Sequence, residues 1–586
     1  MQTDSAITAQ PQAVSRVPSE TRVYVGIFLA VFVICLGYAG YTNHAWEDWY
    51  ITFRASKNLA NGDGLTFTKG ERVYSFTSPL GTVVPALCSR IAGRTNDGLA
   101  LWYYRLFSAS LLGLACVLLY SVLRRSRFPA LVTAVTGVAF MFESKIIDHS
   151  INGMETGLMM FFLALTIRAH TLKLTHLWWQ LGLAWGGLMW TRPDGCIYGA
   201  AVAVGFLVFN PGSPLGISRR DILIAYGKAL ALASLVYLPW LIGTWIYYGS
   251  PIPHTITAKS LQSSQMLDIS GLPKLFLTLP FRAFPDYLTA AEQALVPSYA
   301  RVFTGWPEGL FVYSRVIVSI ASYYWLVPRT SRLARAFSLT TLLLNFYLTD
   351  ITPHAMPWYL PNLAIFVILT FGAAINDVLH RLDETGSINP RLRDFSLTSA
   401  TLILCVPALV SLGTFPHVAR QSRLQQRLVE DGVRTVAGIY LKEHARSPKD
   451  TVMAECLGYL GFFSGLKMYD YPGMGTPEMV AARRKLAPAH GPYLAWGDLS
   501  GEQLIALAEE LKPDWLVIRP GAAKRYHEAQ SKFLETVYKI VAKVSTREAI
   551  EALPDLPGRG FLLFDSTFYI FRRVDPAEQA SPAEQP

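Results

Sequence analysis

The chain has 586 residues, 51% of them hydrophobic and only 16% charged, with a mean hydropathy of +0.29. A soluble protein carries about 25% charged residues, so lipid is the expected solvent for much of this chain, and its 14 Trp and 28 Tyr suit interfacial positions. The net charge of +10 does not point to nucleic acid, because the basic residues recur in short loops rather than in one patch, and the six cysteines have neither disulfide-framework nor metal-ligand spacing.

Residues 1–22 are polar and read as a disordered cytoplasmic tail. The run from Val23 to Ala39 lacks a small-residue cleavage site and is expected to stay as the first membrane helix. Runs able to cross about 30 Å of hydrocarbon follow. With the first, they are 23–43, 101–123, 128–142, 154–169, 175–191, 195–209, 222–247, 309–328, 335–349, 358–376 and 395–415, about eleven spans. No pair of halves with broken helices is evident. The stretch 79–93, broken by Pro85 and Arg90, is expected to be an interfacial helix capped by Thr77 or Ser78 with Pro79 in its first turn.

Arg124, Arg125, Arg127, Arg168, Lys173, Arg219, Arg220 and Lys228 fall in alternate loops, as do Arg329, Arg332, Arg335, Arg381, Arg391 and Arg393. The short loops of the other set hold only Lys145 and Arg192. This asymmetry places the amino terminus inside and, after an odd number of spans, the carboxyl terminus outside. The expected architecture is a polytopic all-α membrane domain over 23–415, with outer loops at 44–100 and 248–305. An extracytoplasmic α/β domain over 416–575 and a disordered tail over 576–586 complete it. In that domain Val433 to Tyr440 and Leu504 to Leu511 read as helices. Val452 to Ala454, Pro513 to Ile518 and Phe561 to Val574 read as strands.

The ionisable residues that interrupt the apolar runs share the outer rim. A charge at the bilayer centre costs about 2.5–3.5 kcal/mol on insertion scales, so helix ends with water access are the favoured position for a site. Glu47 and Asp48 sit between aromatic residues just past the first span. They read either as a solvated loop or as a functional carboxylate: a general base, or a ligand to a divalent cation or to acceptor hydroxyls. Adjacent carboxylates raise one another's proton affinity. Arg54, Lys57 and Asn58 share one face of a short helix ended by Asn61-Gly62-Asp63-Gly64. Leu65 to Phe76, carrying Glu71 and Arg72, alternates like a hairpin. Glu155 either favours a helix N-terminus or faces the site. Arg192 either grips phosphate or pairs with Asp194. His254 and Lys259 suit a phosphate leaving group, or His254 is an ordinary exposed loop residue. His354, in Thr352-Pro353-His354-Ala355-Met356-Pro357-Trp358-Tyr359, is a site residue or part of an interfacial anchor.

The run Glu47-Asp48-Trp49-Tyr50-Ile51-Thr52-Phe53-Arg54, with Asn58-Leu59-Ala60 and Gly62-Asp63-Gly64-Leu65, resembles a segment of the GT-C glycosyltransferases. That segment reads Asp-Asp-x-Tyr-Ile-x-x-Arg, then Asn-Leu-x-x-Gly-x-Gly-Leu. The likeness is greatest to bacterial terminal β-arabinofuranosyltransferases of the cell-wall arabinan type. Gly70-Glu71-Arg72-Val73, Asn152-Gly153-Met154-Glu155-Thr156, Arg192-Pro193-Asp194-Gly195 and Gly249-Ser250-Pro251-Ile252-Pro253 with Ala258-Lys259 follow in the same order. The likeness covers roughly the first 260 residues; later spans and the outer domain match in layout only.

The resemblance implies a GT-C membrane fold in a bacterial inner membrane. It also implies a polyprenyl-phosphate sugar donor, decaprenyl-phosphate arabinofuranose in the nearest relatives, and a glycan, lipid or protein acceptor. The family's catalytic acidic pair falls on Glu47 and Asp48, with Glu in place of the first Asp, and Asn is the family residue at the place of His254. Asp48 is therefore the expected catalytic residue with Glu47 in support, and Arg54, Arg192, His254 and Lys259 are the expected phosphate ligands. The rivals are a transporter or flippase of lipid-linked sugars, which predicts mid-membrane charges, and a membrane-anchored carbohydrate-binding module.

Overall fold

The computed structural model describes residues 20–172, 174–212, 217–260, 272–282, 289–303, 305–352, 355–384, 390–491 and 499–574. Of the expected tails, residues 1–19 and 576–586 lie outside these residues, as does His354, while Glu20 to Arg22, expected in the first tail, already belong to helix Glu20–Thr42.

The chain is a multi-pass membrane protein. Five described helices are long and apolar enough to cross a bilayer: Glu20–Thr42, Asp97–Arg125, Arg219–Tyr248, Glu308–Leu326 and Pro361–Leu382. The count rises to six if Ala130–Met141 and Ser144–Ile151, bent by 51°, form one broken span. This is fewer than eleven, because several apolar runs fold into helices too short to span. Thr156–Ala169 and Gly195–Phe209, 14 and 15 residues long, reach only about 21–23 Å at 1.5 Å per residue. Thr156–Ala169 packs inside the bundle, and Gly195–Phe209 packs against it on one face with Val204 and Val208 exposed on the other. Leu174–Thr191 lies so close to Arg219–Tyr248 that a Cβ on Gly182 would meet Leu232 at 2.8 Å. The break after Met141 was not legible in the apolar pattern, and no second bent pair occurs among the described residues.

Helix Glu20–Thr42 delivers the chain to one end of the bundle, where helix Glu47–Asn61 begins and then stops at Gly62, whose φ of 88° suits glycine. The hairpin expected over Leu65 to Phe76 does not form. Asn58 Nδ2 donates to the Thr66 and Phe67 carbonyls at 2.8 and 3.2 Å, occupying acceptors that a ladder would need. Tyr74 and Phe76 both turn inward to pack beside Trp240 and Tyr248. The helix expected over 79–93 forms as Leu80–Ile91, with Ser78 Oγ accepting the Gly81 N–H at 2.8 Å.

Helix Pro390–Leu424 continues without interruption through wider π-type turns, Gln425–Thr435, into Val436–His444. The membrane bundle and the carboxy-terminal domain therefore share one rod across residues 415 and 416. The domain has a five-stranded sheet. Its strands are β1 (Thr451–Ala454), β2 (Lys467–Asp470), β3 (Trp515–Ile518), β4 (Tyr538–Ser545) and β5 (Thr567–Arg573), in the order β2-β1-β3-β5-β4. The first three are parallel, with Val452 opposite both Met468 and Trp515, and β5 is antiparallel to β3 and β4. The strand expected from Phe561 starts later, because Arg559–Phe564 is a helix that turns Leu562 into a core with Val429 and Ile550. Ile51 and Phe67 join Val433, Leu457, Leu460 and Met468 in a single apolar core. The domain is thereby packed onto the first rim helix.

Candidate active site

The rim helix and the carboxy-terminal domain enclose a cavity of about 400 Å³. Its floor is Trp46, Glu47, Asp48 and Ile51, its membrane-side wall includes Tyr299, Met356 and Trp358, and its roof includes Arg434, Glu455, Arg519, Phe561 and Asp565. Trp46 stacks within 10° of the Tyr299 ring plane at 6.0 Å and meets Trp358 edge-on at 6.1 Å. The cavity thus sets a buried carboxylate between aromatic walls.

The acidic pair divides its work. Glu47 is committed to the fold: it accepts the Gly458 N–H at 2.7 Å and the Tyr459 N–H at 3.4 Å, and lies 3.2 Å from Arg434. Asp48 accepts no hydrogen bond from any described residue. Burial pushes its carboxyl up, Lys259 pulls it down, and Glu47 and Glu155 raise it while Arg192 opposes them, leaving it at about 7. Such a group is half-ionised at neutral pH, the condition in which a carboxylate serves as a general base.

Behind Asp48 lies a charge cluster drawn from distant parts of the chain. Arg192 pairs with Glu155 at 2.6 Å and with Asp194 at 3.0 Å, and stands 4.3 Å over the Tyr359 ring. Tyr198 donates to the second oxygen of Asp194 at 3.0 Å. Lys259, on the short helix His254–Ser260, is within electrostatic reach of Asp48, Arg192 and Asp194; burial lowers it and Asp48 pulls it back up. Asp48, Glu155, Arg192, Asp194 and Lys259 are therefore within electrostatic range of one another, and of the five only Asp48 lines the cavity. The charge of Arg192 is already balanced by two carboxylates.

Other candidates sit elsewhere. Arg54 is not a phosphate ligand: its buried guanidinium donates to the carbonyls of Gly461, Gly465 and Leu466 at 2.7–3.0 Å, closing the end of helix Gly458–Ser464. Removing such a charge-assisted clamp costs about 1.5–3 kcal/mol. Arg54→Met is therefore expected to lower thermal stability while leaving the Michaelis constant for donor unchanged. A raised donor constant at unaltered melting temperature would contradict this. Asn58 braces the loop described above. Glu71 pairs with Lys467 at 2.7 Å, and Arg72 lies 5.0 Å from the Tyr247 ring. His254 turns from the cavity toward the Asp470–Thr476 loop; burial lowers it and Asp470 opposes that shift.

One network was not legible in the sequence. Arg434 joins Glu430 at 2.8 Å, Glu47, and Asp565, which in turn holds Arg519, itself paired with Glu455. Burial raises Glu430 to about 7 against the pull of Arg434, whereas Arg519 and Arg434 overcome burial and hold Asp565 at about 2. Only the four-residue spacing of Glu430 and Arg434 hinted at it, and that spacing fits any exposed helix face. No three His, Cys, Asp or Glu side chains among the described residues form a group that could hold a metal ion.

Residues 420–564 match a family model described as a domain of unknown function, DUF8728. A terminal β-(1→2)-arabinofuranosyltransferase from Corynebacterium glutamicum is 30% identical over 250 residues, covering 38% of this chain and 34% of the relative. Its counterpart from Mycobacterium tuberculosis is 25% identical over 326 residues, covering 48% of each. The chain thus spans a third to a half of the length of these curated relatives. Among solved structures, ArnT from Cupriavidus metallidurans bound to undecaprenyl phosphate superposes with a TM-score of 0.51 at 13% identity, over 96% of this chain and 99% of that one. The membrane bundle capped by its carboxy-terminal domain is therefore a fold of the GT-C type.

Proposed function

We propose that this protein is a glycosyltransferase that moves a sugar, arabinofuranose by analogy with the relatives' names, from a polyprenyl-phosphate donor to a cell-envelope acceptor. The carrying observation is Asp48: a carboxylate raised to about 7 that accepts no hydrogen bond from any described residue and opens on an aromatic cavity beside Lys259. The acceptor is a glycan, lipid or protein hydroxyl. Its oxygen attacks the anomeric carbon, the carbon–oxygen bond to phosphate breaks, and the proton passes to Asp48. Lys259, with Arg192 behind it, stabilises charge on the departing polyprenyl phosphate. Trp46, Tyr299 and Trp358 supply faces on which sugar rings stack.

Arg124 and Arg125 close helix Asp97–Arg125, whose first residue pairs with Lys57 of helix Glu47–Asn61, so this basic loop is one helix length from the rim helix. The positive-inside rule then puts the site on the outer face of a bacterial inner membrane, with the amino terminus cytoplasmic. Donor activation inside the cell makes a nucleotide site unnecessary.

A panel of radiolabelled polyprenyl-phosphate sugars incubated with purified protein and envelope acceptors tests this reading. Label is expected to move to the acceptor from one donor, arabinofuranose foremost. Transport of intact donor across vesicles without transfer would replace the reading with a flippase.

A further inference from the structure

Helices Glu20–Thr42 and Asp97–Arg125 pack together, and so do Ala130–Met141 and Pro361–Leu382, but between the two pairs the membrane bundle is hollow. The hollow measures about 420 Å³, and all four helices contribute walls, through Ile27, Leu123, Phe140 and Leu369 among others. Tyr120, Thr133 and Thr136 are its only hydroxyl-bearing side chains. Protein interiors pack to the density of organic crystals, and an apolar void left empty costs stability in proportion to its volume. Apolar voids also exclude water, so hydrocarbon is what fills one. The space reaches the backbone: Gly137 lines it, and a Cβ added there would meet no atom within 4 Å. Arg124 lines the same hollow and is exposed, at the end of helix Asp97–Arg125 far from the rim helix. Arg125 and Arg127 beside it are exposed too. None of these three guanidinium groups has a hydrogen bond or a carboxylate partner among the described residues.

We propose that this hollow is a lipid site that takes one acyl chain of an anionic phospholipid, whose phosphate meets Arg124 while Arg125 and Arg127 add to the attraction. The apolar walls select hydrocarbon, the unpaired arginines select negative charge, and a phospholipid joins the two in one molecule. Basic residues mark the inner side of a membrane protein, so the lipid comes from the cytoplasmic leaflet, one helix length from the cavity that holds Asp48. The site does not depend on the transferase reading.

The test uses the delipidated full chain in detergent micelles, with dioleoyl-phosphatidylglycerol and dioleoyl-phosphatidylcholine as probes. Phosphatidylglycerol is expected to raise the melting temperature of the wild type, with a half-saturating concentration about tenfold or more below that of phosphatidylcholine. Arg124→Gln is expected to lose about fivefold of that preference. Gly137→Leu fills the hollow from its wall and keeps all three arginines. It is expected to melt at or above the wild type without lipid and to lose the rise that phosphatidylglycerol gives. Equal stabilisation of the wild type by the two lipids overturns the proposal, and so does a rise that survives in Gly137→Leu, since the lipid then coats the surface. If Gly137→Leu does not fold, native mass spectrometry of the wild type and Arg124→Gln decides. One retained phosphatidylglycerol on the wild type and reduced occupancy on the variant is expected, and equal occupancy overturns the site. Displacement of phosphatidylglycerol by undecaprenyl phosphate at equal concentration would give the hollow to an isoprenoid chain and overturn the phospholipid assignment.

Discussion

Asp48→Asn is expected to cut sugar transfer by about 10²–10⁴-fold, the contribution of a positioned general base, while expression and donor binding stay intact. Asn keeps the shape of the carboxylate and removes its basicity. Because Asp48 accepts no hydrogen bond from any described residue, the fold loses no bond in the exchange. Stability moves the other way. The native carboxyl titrates at about 7, and an unfolded Asp at about 3.9. Between these values the folded protein holds a proton that the unfolded chain has released, so this group lowers stability as pH rises from about 4 to about 7 and then levels off. The Asn variant is therefore expected to melt above the wild type at pH 8 and to converge with it near pH 4. Activity equal to wild type, or a variant that melts lower at pH 8, would contradict the role given to Asp48.

Arg434→Met is expected to destabilise the protein by about 3–5 kcal/mol, the cost of leaving buried partners unpaired. Its guanidinium neutralises Glu430 and Asp565 and reaches Glu47 across the boundary between the rim helix and the carboxy-terminal domain. The loss should concentrate at that boundary. Limited proteolysis is expected to cleave near residues 445–450, where the rod meets β1, at lower protease concentration than in the wild type. Glu47→Gln should behave as a milder version, since an amide oxygen still accepts the Gly458 N–H but no longer attracts Arg434. An unchanged melting temperature in Arg434→Met would show that the network carries no load in holding the domain on the membrane bundle.

Apolar runs mark where the chain meets lipid, yet period and length alone do not say whether a run spans. Thr156–Ala169 is apolar all round because neighbouring helices enclose it, whereas Gly195–Phe209 leaves Ile197, Val204 and Val208 exposed on one face, and the two look the same in sequence. The alternation from Leu65 to Phe76 misled for a related reason. Inward Tyr74 and Phe76 fit a core whether or not a neighbouring strand exists. Strands β1 and β3 were legible because parallel strands buried on both faces read as short continuous apolar runs, as in Trp515–Ile518. β4 was not, since its exposed residues, Lys539 and Lys543 among them, break the pattern of an edge strand.

The charged rim divides in the same way. Local order along the chain singled out Asp48, Glu155, Arg192, Asp194 and Lys259, which the fold brings within electrostatic range of one another. It could not separate them from Arg54, which is equally polar and flanked by the same aromatic residues but is spent on three carbonyls 400 residues away in the chain. The split between Glu47 and Asp48 likewise depends on Gly458 and Arg434, which no local pattern brings near. Arg54 and Glu47 were left undecided because their partners come from the carboxy-terminal domain.

The most direct measurement is the pH dependence of kcat/KM for transfer from the preferred polyprenyl-phosphate sugar, in wild type and in Asp48→Asn. The wild type is expected to gain about tenfold per pH unit below pH 7, bend at about 7 and hold a plateau above it, whereas the residual rate of the variant shows no such limb. A wild-type profile flat from pH 5 to 9, or the same limb retained in the variant, would remove Asp48 from the chemistry.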